Sequence, residues 1–169
     1  MNVQLCSIRI ETLGCRLNQT EAESFAALCT DAGFSIYTSH ADYAGYAGTT
    51  PADTPTITAP ESAAPIRLSS ALPPEQTVLC FVNTCTVTGK AEQKARRLIR
   101  LLVKTLPHAV ILVTGCYAQL EAAAIEALHP HILAFPGQQK DLLTEIPAYL
   151  AKLVADSAYF DTAFFLSAV

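Results

Sequence analysis

Val78-Leu79-Cys80-Phe81-Val82 runs straight into Asn83-Thr84-Cys85, and Ala109-Val110-Ile111-Leu112-Val113 runs straight into Thr114-Gly115-Cys116. Each stretch is five apolar side chains without a polar interruption, then two small residues and a cysteine. A strand with one wet face alternates apolar and polar side chains, whereas a continuous run marks a strand buried on both faces. Such strands belong to parallel sheets covered by helices on each side. The intervening and following segments supply those helices. Residues 87–106 place Ala91, Ala95, Leu98, Ile99 and Leu102 on one side at helical spacing, and Pro107 ends the run. Residues 118–128 form a further helix before Pro130.

Outward from this pair, Ser7–Leu13 reads as a first strand ending at Gly14. Residues 20–32 read as a helix, with Thr20 as N-cap and Glu23 completing a capping box. Ala22, Phe25, Ala26 and Cys29 form its apolar stripe, and Gly33 stops it. Residues 34–37 and 132–135 are short strands, and residues 138–154 are a helix broken or restarted near Pro147. Residues 39–76 hold six of the ten prolines and read as a long irregular insertion. The predicted fold is α/β, a flavodoxin-like or Rossmann-like three-layer sandwich. Its mostly parallel five-stranded sheet has the order 2-1-3-4-5 and right-handed crossovers. Residues 1–155 form the domain, with insertion 39–76, and residues 156–169 are a linker or truncated tail.

The chain has 169 residues, which suits one domain with its own core. Hydrophobic residues make up 51% and charged residues 15%, which excludes global disorder. No strictly apolar run exceeds five residues, far short of the roughly 20 residues of a spanning helix. No membrane association is expected. Arg9 and Glu11 interrupt the early apolar stretch, so no signal peptide is read, and a cytoplasmic location is expected. In that reducing setting the six cysteines are free thiols, redox groups or ligands. The net charge of −4 excludes a generally basic nucleic-acid binder. The glycines form neither a GxGxxG fingerprint nor a P-loop.

Cys15, Cys85 and Cys116 share one address, just past a strand and just before a helix. In parallel α/β sheets that edge carries the site. Strands 1, 3 and 4 are neighbours in the predicted order, so three thiols on short loops converge across about 10 Å. Three converging thiolates suit a soft metal centre with one open position. There is no CxxC pair, so zinc-ribbon and thioredoxin spacings are absent. Position alone leaves ligands and ordinary thiols both open. A flavodoxin-like ligand-binding module, or a thiol redox module without a cluster, is the alternative. Cys29 on a helix stripe and Cys80 in mid-strand read as buried hydrophobes. Residues 87–106 also carry Lys90, Lys94, Arg96, Arg97, Arg100 and Lys104 against one acid, Glu92. This is either a solvated face or a phosphate-contacting stripe, with Lys90, Lys94, Arg97 and Arg100 as candidate nucleic-acid contacts.

The flanks of the three cysteines resemble a known family. Thr12-Leu13-Gly14-Cys15-Arg16-Leu17-Asn18-Gln19-Thr20-Glu21 is similar to the first motif of the radical S-adenosylmethionine tRNA methylthiotransferases. Asn83-Thr84-Cys85-Thr86-Val87-Thr88 with Lys90-Ala91 resembles the second, and Thr114-Gly115-Cys116-Tyr117-Ala118-Gln119 the third. The first two look most like the branch acting on threonylcarbamoyladenosine. The resemblance implies the N-terminal methylthiotransferase domain, with Cys15, Cys85 and Cys116 holding an auxiliary 4Fe–4S cluster. It implies transfer of a methylthio group to carbon 2 of a modified adenine in the tRNA anticodon stem-loop. It also implies a radical domain with S-adenosylmethionine and a second 4Fe–4S cluster on CxxxCxxC, and an RNA-binding domain. Neither is present in this sequence, so the chain is expected to be a fragment that is inactive alone.

Overall fold

A computed structural model describes residues 6–13, 15–37, 74–85, 89–137, 140–156 and Phe165. Five strands and five helices follow the chain as β1 (Ser7–Leu13), α1 (Arg16–Asp31), β2 (Ser35–Tyr37), β3 (Thr77–Thr84), α2 (Gly89–Thr105), β4 (Val110–Gly115), α3 (Cys116–Glu126), β5 (Ile132–Phe135), α4 (Lys140–Leu143) and α5 (Ile146–Asp156). The strands form one sheet in the order β2-β1-β3-β4-β5. Every pairing is parallel. The expected flavodoxin-like three-layer sandwich is the observed fold.

The apolar runs build two cores because alternate residues of a strand face opposite ways. Leu79, Phe81, Val110 and Leu112 join Phe25, Ala26, Leu150 and Val154 on one face. Cys80, Val82, Ile111 and Val113 join Leu98, Ile99, Leu102, Tyr117 and Ile125 on the other. The first core lies under α1 and α5, the second under α2 and α3. That division follows from handedness. The step from β1 to β2 runs opposite to the steps from β3 to β4 to β5. Right-handed crossovers therefore put α1 on one face and α2 and α3 on the other. Phe25 of α1 stacks on Phe81 of β3, with ring centroids 4.3 Å apart. Phe165 is fully buried in the first core.

Several element ends differ from expectation. The first helix begins at Arg16, and Thr20 lies inside it, its hydroxyl bonded to the Arg16 carbonyl at 3.2 Å. No Thr20–Glu23 capping box forms. Cys15 is the N-cap, extended at φ −82° and ψ 175°, and its carbonyl accepts the Gln19 N–H. The C-terminus does close at Gly33, whose φ of 95° needs a glycine. Its N–H reaches the Thr30 carbonyl and the Phe34 N–H reaches Cys29, a Schellman pair. The expected helix over 138–154 is two helices, α4 and α5. Pro147 is the second residue of α5, where a missing N–H costs nothing. Residues 39–73 of the expected insertion lie outside the described residues, and Pro74–Gln76 is a 3-10 turn into β3.

One buried feature was not anticipated. Arg9 and Glu11, two apart on β1, form an ion pair at 2.6 Å with side chains only 5% and 9% exposed. The Arg9 guanidinium also lies 6.0 Å from the Tyr37 ring centroid. Tyr37 bonds the Thr77 hydroxyl at 2.6 Å, and Ser7 bonds it at 3.2 Å. Removing one charge of a buried pair strands the other, which costs about 3–5 kcal/mol, whereas replacing both with apolar groups costs far less. Urea unfolding should show Glu11→Leu destabilised by about that amount. The double variant Arg9→Met/Glu11→Leu should recover most of it.

Candidate metal centre

The register sets the cysteines level. Leu13 pairs with Thr84, and Thr84 pairs with Gly115, across three adjacent strands. Cys85 and Cys116 come one residue past that line, and Cys15 two past it. Strands spaced about 4.8 Å apart put the three segments within about 10 Å along the sheet edge. All three thiols are free of disulfides; Cys15 and Cys116 are exposed and Cys85 is buried. The other three, Cys6, Cys29 and Cys80, are buried within the cores.

Close packing fixes this edge. Gly115 has φ 93°, outside the range of L side chains, and is the N-cap of α3. A Cβ there would collide with the Thr84 carbonyl and with Asn83 Oδ1. Cys116 is therefore delivered as the first residue of α3 by a turn that only glycine fits. Thr84 Oγ1 donates to the Thr114 carbonyl at 2.8 Å, and Thr114 Oγ1 to the Phe135 carbonyl at 3.0 Å. These bonds tie β3, β4 and β5 together just below the cysteines.

A second lock joins α1 to β3. Asn18 Nδ2 donates to Asn83 Oδ1 at 2.5 Å and to the Thr84 carbonyl at 3.3 Å. Asn83 Nδ2 returns bonds to the Asn18 carbonyl at 3.1 Å and to Glu21 Oε2 at 2.9 Å. Both asparagines are buried, and buried amides are costly unless satisfied in this way. The Cys15 thiol donates to Asn18 Oδ1 at 2.9 Å, so the lock also reaches the first cysteine. Hydropathy did not single out this quartet. Its hydropathy signal is a polar residue, Asn18, on the buried stripe of α1, with its partner 65 residues away, although all four residues lie within the motif stretches.

The edge is also electrostatically suited to thiolates. The backbone N–H groups of Asn18 and Leu17 at the start of α1 hold the Cys15 thiol below its ordinary value, with Glu21 opposing. Burial pushes the thiols of Cys29 and Cys80 up and keeps them protonated. Among the described residues, no group of three or more His, Cys, Asp or Glu side chains is gathered to hold a metal ion, so the three strand-end cysteines are neighbours along the edge but are not drawn together. Lys90, Lys94, Arg97 and Arg100 are exposed along α2, which starts four residues beyond Cys85. No helix among the described residues is long and apolar enough to cross a membrane.

Fold and edge together define a flavodoxin-like α/β domain with a thiol-bearing crest. A family profile described as "Uncharacterized protein family UPF0004" matches residues 66–137. A threonylcarbamoyladenosine tRNA methylthiotransferase of Treponema pallidum is 49% identical over 148 residues, 88% of this chain and 24% of that protein. The enzyme of the same name from Bacillus subtilis is 30% identical over 125 residues, 73% of this chain and 20% of that protein. A tRNA-2-methylthio-N(6)-dimethylallyladenosine synthase of Desulfosudis oleivorans is 45% identical over 51 residues, 28% of this chain and 11% of that protein. The chain belongs to the tRNA methylthiotransferase family and corresponds to its N-terminal domain. It spans about a quarter of the length of the Treponema relative.

Alkylation should report the crest directly. The thiolate is the reactive form, so a depressed thiol reacts at lower pH than a free one. Iodoacetamide labelling of Cys15, followed by mass spectrometry, should reach half its maximal rate below the pH found for N-acetylcysteine. Cys29 and Cys80 should stay unlabelled until the chain unfolds.

Proposed function

We propose that this domain holds a 4Fe–4S cluster on Cys15, Cys85 and Cys116 and serves a tRNA methylthiotransferase. The observation that carries this reading is the level placement of the three cysteines by the Leu13–Thr84–Gly115 register. Three thiolates suit an iron–sulfur cluster, which normally takes four cysteines. Among the described residues no group of three His, Cys, Asp or Glu side chains is gathered to hold a metal, so the thiols would come together on loading. Three leave one iron open, and when bound the cluster would supply that open position for the sulfur to be transferred.

The chain's own residues do the holding. Cys15 and Cys116 present thiols from the starts of α1 and α3, where backbone N–H groups favour negative charge. Cys85 lies between them and is buried. The Asn18–Asn83 lock and the Gly115 turn fix the edges of the site before it is loaded. Metal binding then draws the cysteine loops together.

The substrate reading follows the relatives. The proteins named for threonylcarbamoyladenosine match 73–88% of this chain, those named for dimethylallyladenosine 28–48%. Threonylcarbamoyladenosine in tRNA is therefore the proposed substrate of the whole enzyme. The radical chemistry, with S-adenosylmethionine and a second 4Fe–4S cluster, would reside in radical and RNA-binding domains outside this sequence. A cytoplasmic setting goes with a tRNA substrate.

Anaerobic reconstitution with iron and sulfide should give a brown protein with one 4Fe–4S cluster per chain. Cys15→Ala, Cys85→Ala and Cys116→Ala should each abolish loading, whereas Cys29→Ala should not. A colourless product, or equal loss with Cys80→Ala, would sink the assignment in favour of a clusterless thiol module.

A further inference from the structure

The charge of this chain is segregated. Helix α2 holds six basic residues and one acid, leaving five basic and fourteen acidic residues for the rest of the sequence. The acid does not dilute the cations. Glu92 is paired with Arg96 at 3.0 Å, and Arg96 turns inward, 5.8 Å from the ring centroid of buried Tyr117. At 100° per residue, Lys90, Lys94, Arg97, Arg100 and Lys104 fall within a face about 120° wide and about 21 Å long. Opposite them lie Ala95, Leu98, Ile99 and Leu102, all buried. The five outward cations are exposed.

We infer that this face of α2 is an RNA-docking surface that seats phosphates of the substrate beside the cysteine crest. The inference rests on the proposed function for the identity of the polyanion. It adds which surface meets the RNA. Placement supports it. The helix begins four residues past Cys85, so its first cations, Lys90 and Lys94, stand at the crest end, and Lys104 lies at the far end. A backbone laid along the stripe would thus lead toward the cysteines. Arg96 lies against Tyr117, the residue after Cys116, which sets α2 beside the third cysteine. A chain of net charge −4 otherwise repels nucleic acid, so affinity must come from this local field. Phosphate contacts of this kind position the substrate without reading bases.

The test is fluorescence anisotropy of a labelled anticodon stem-loop RNA titrated with the full 169-residue chain over a salt series. Three neutralised phosphate contacts should lower the slope of log K against log salt by about 2–3, since each contributes about 0.7–0.9. The triple variant Lys94→Gln/Arg97→Gln/Arg100→Gln is expected to show that loss and at least tenfold weaker binding at low salt. Glutamine is a good helix former, so α2 should persist, which circular dichroism checks. Lys152→Gln on α5 should bind as the parent does. Parent-like binding by the triple variant, equal loss in Lys152→Gln, or no RNA binding by the parent at low salt would each overturn the inference. Iron–sulfide loading of the same variants separates the two proposals. A triple variant that loads its cluster but loses RNA supports both, and a parent that loads but ignores RNA refutes only the docking surface.

Discussion

The close approach of three strand ends is the constraint on which the site depends. Gly115 sits so near Thr84 and Asn83 that no side chain fits between them. Asn83 then has its amide filled by Asn18 and Glu21 of α1. Backbone contact on one side and amide pairing on the other hold the end of β3 against β4 and the start of α1, while the parallel register sets β1 level with them. The cysteines inherit that height because each follows its strand by one or two residues. The placement of the three thiols is thus a consequence of register. A slip of one residue would move a thiol by more than 3 Å and turn it to the opposite face.

Environment also separates the thiols. Backbone N–H groups of Asn18 and Leu17 hold the Cys15 thiol low, while Cys29 and Cys80 lie in apolar core that pushes theirs up. The same residue type thus differs in acidity from place to place through its surroundings alone. The buried Arg9–Glu11 pair works on a different scale. It fills the α2 side of β1 with paired charge where the neighbouring strand β3 offers Cys80 and Val82.

Much of this was legible from residues. The unbroken apolar runs on β3 and β4 require burial on both faces, and that requirement alone leads to a parallel sheet between helices. The three cysteines were legible as strand-end residues, and their flanks as family motifs. The start of α1 was misread because Thr20 and Glu23 have the spacing of a capping box. The helix begins a turn earlier, where Cys15 leaves the strand and Asn18 turns inward to Asn83. Hydropathy cannot show that a polar residue is buried, because its burial depends on a partner distant in sequence. The Arg9–Glu11 pair escaped for the same reason. Charged residues on a strand read as interruptions until their pairing is seen.

The central claim is that Cys15, Cys85 and Cys116 converge on one group. Its most direct test is thiol footprinting of the chain before and after anaerobic loading with iron and sulfide. The account predicts that these three cysteines become protected together, in equal proportion to the iron bound, while Cys6, Cys29 and Cys80 are unchanged. Protection of only two of the three, or of one of the buried cysteines in place of a crest cysteine, would contradict it.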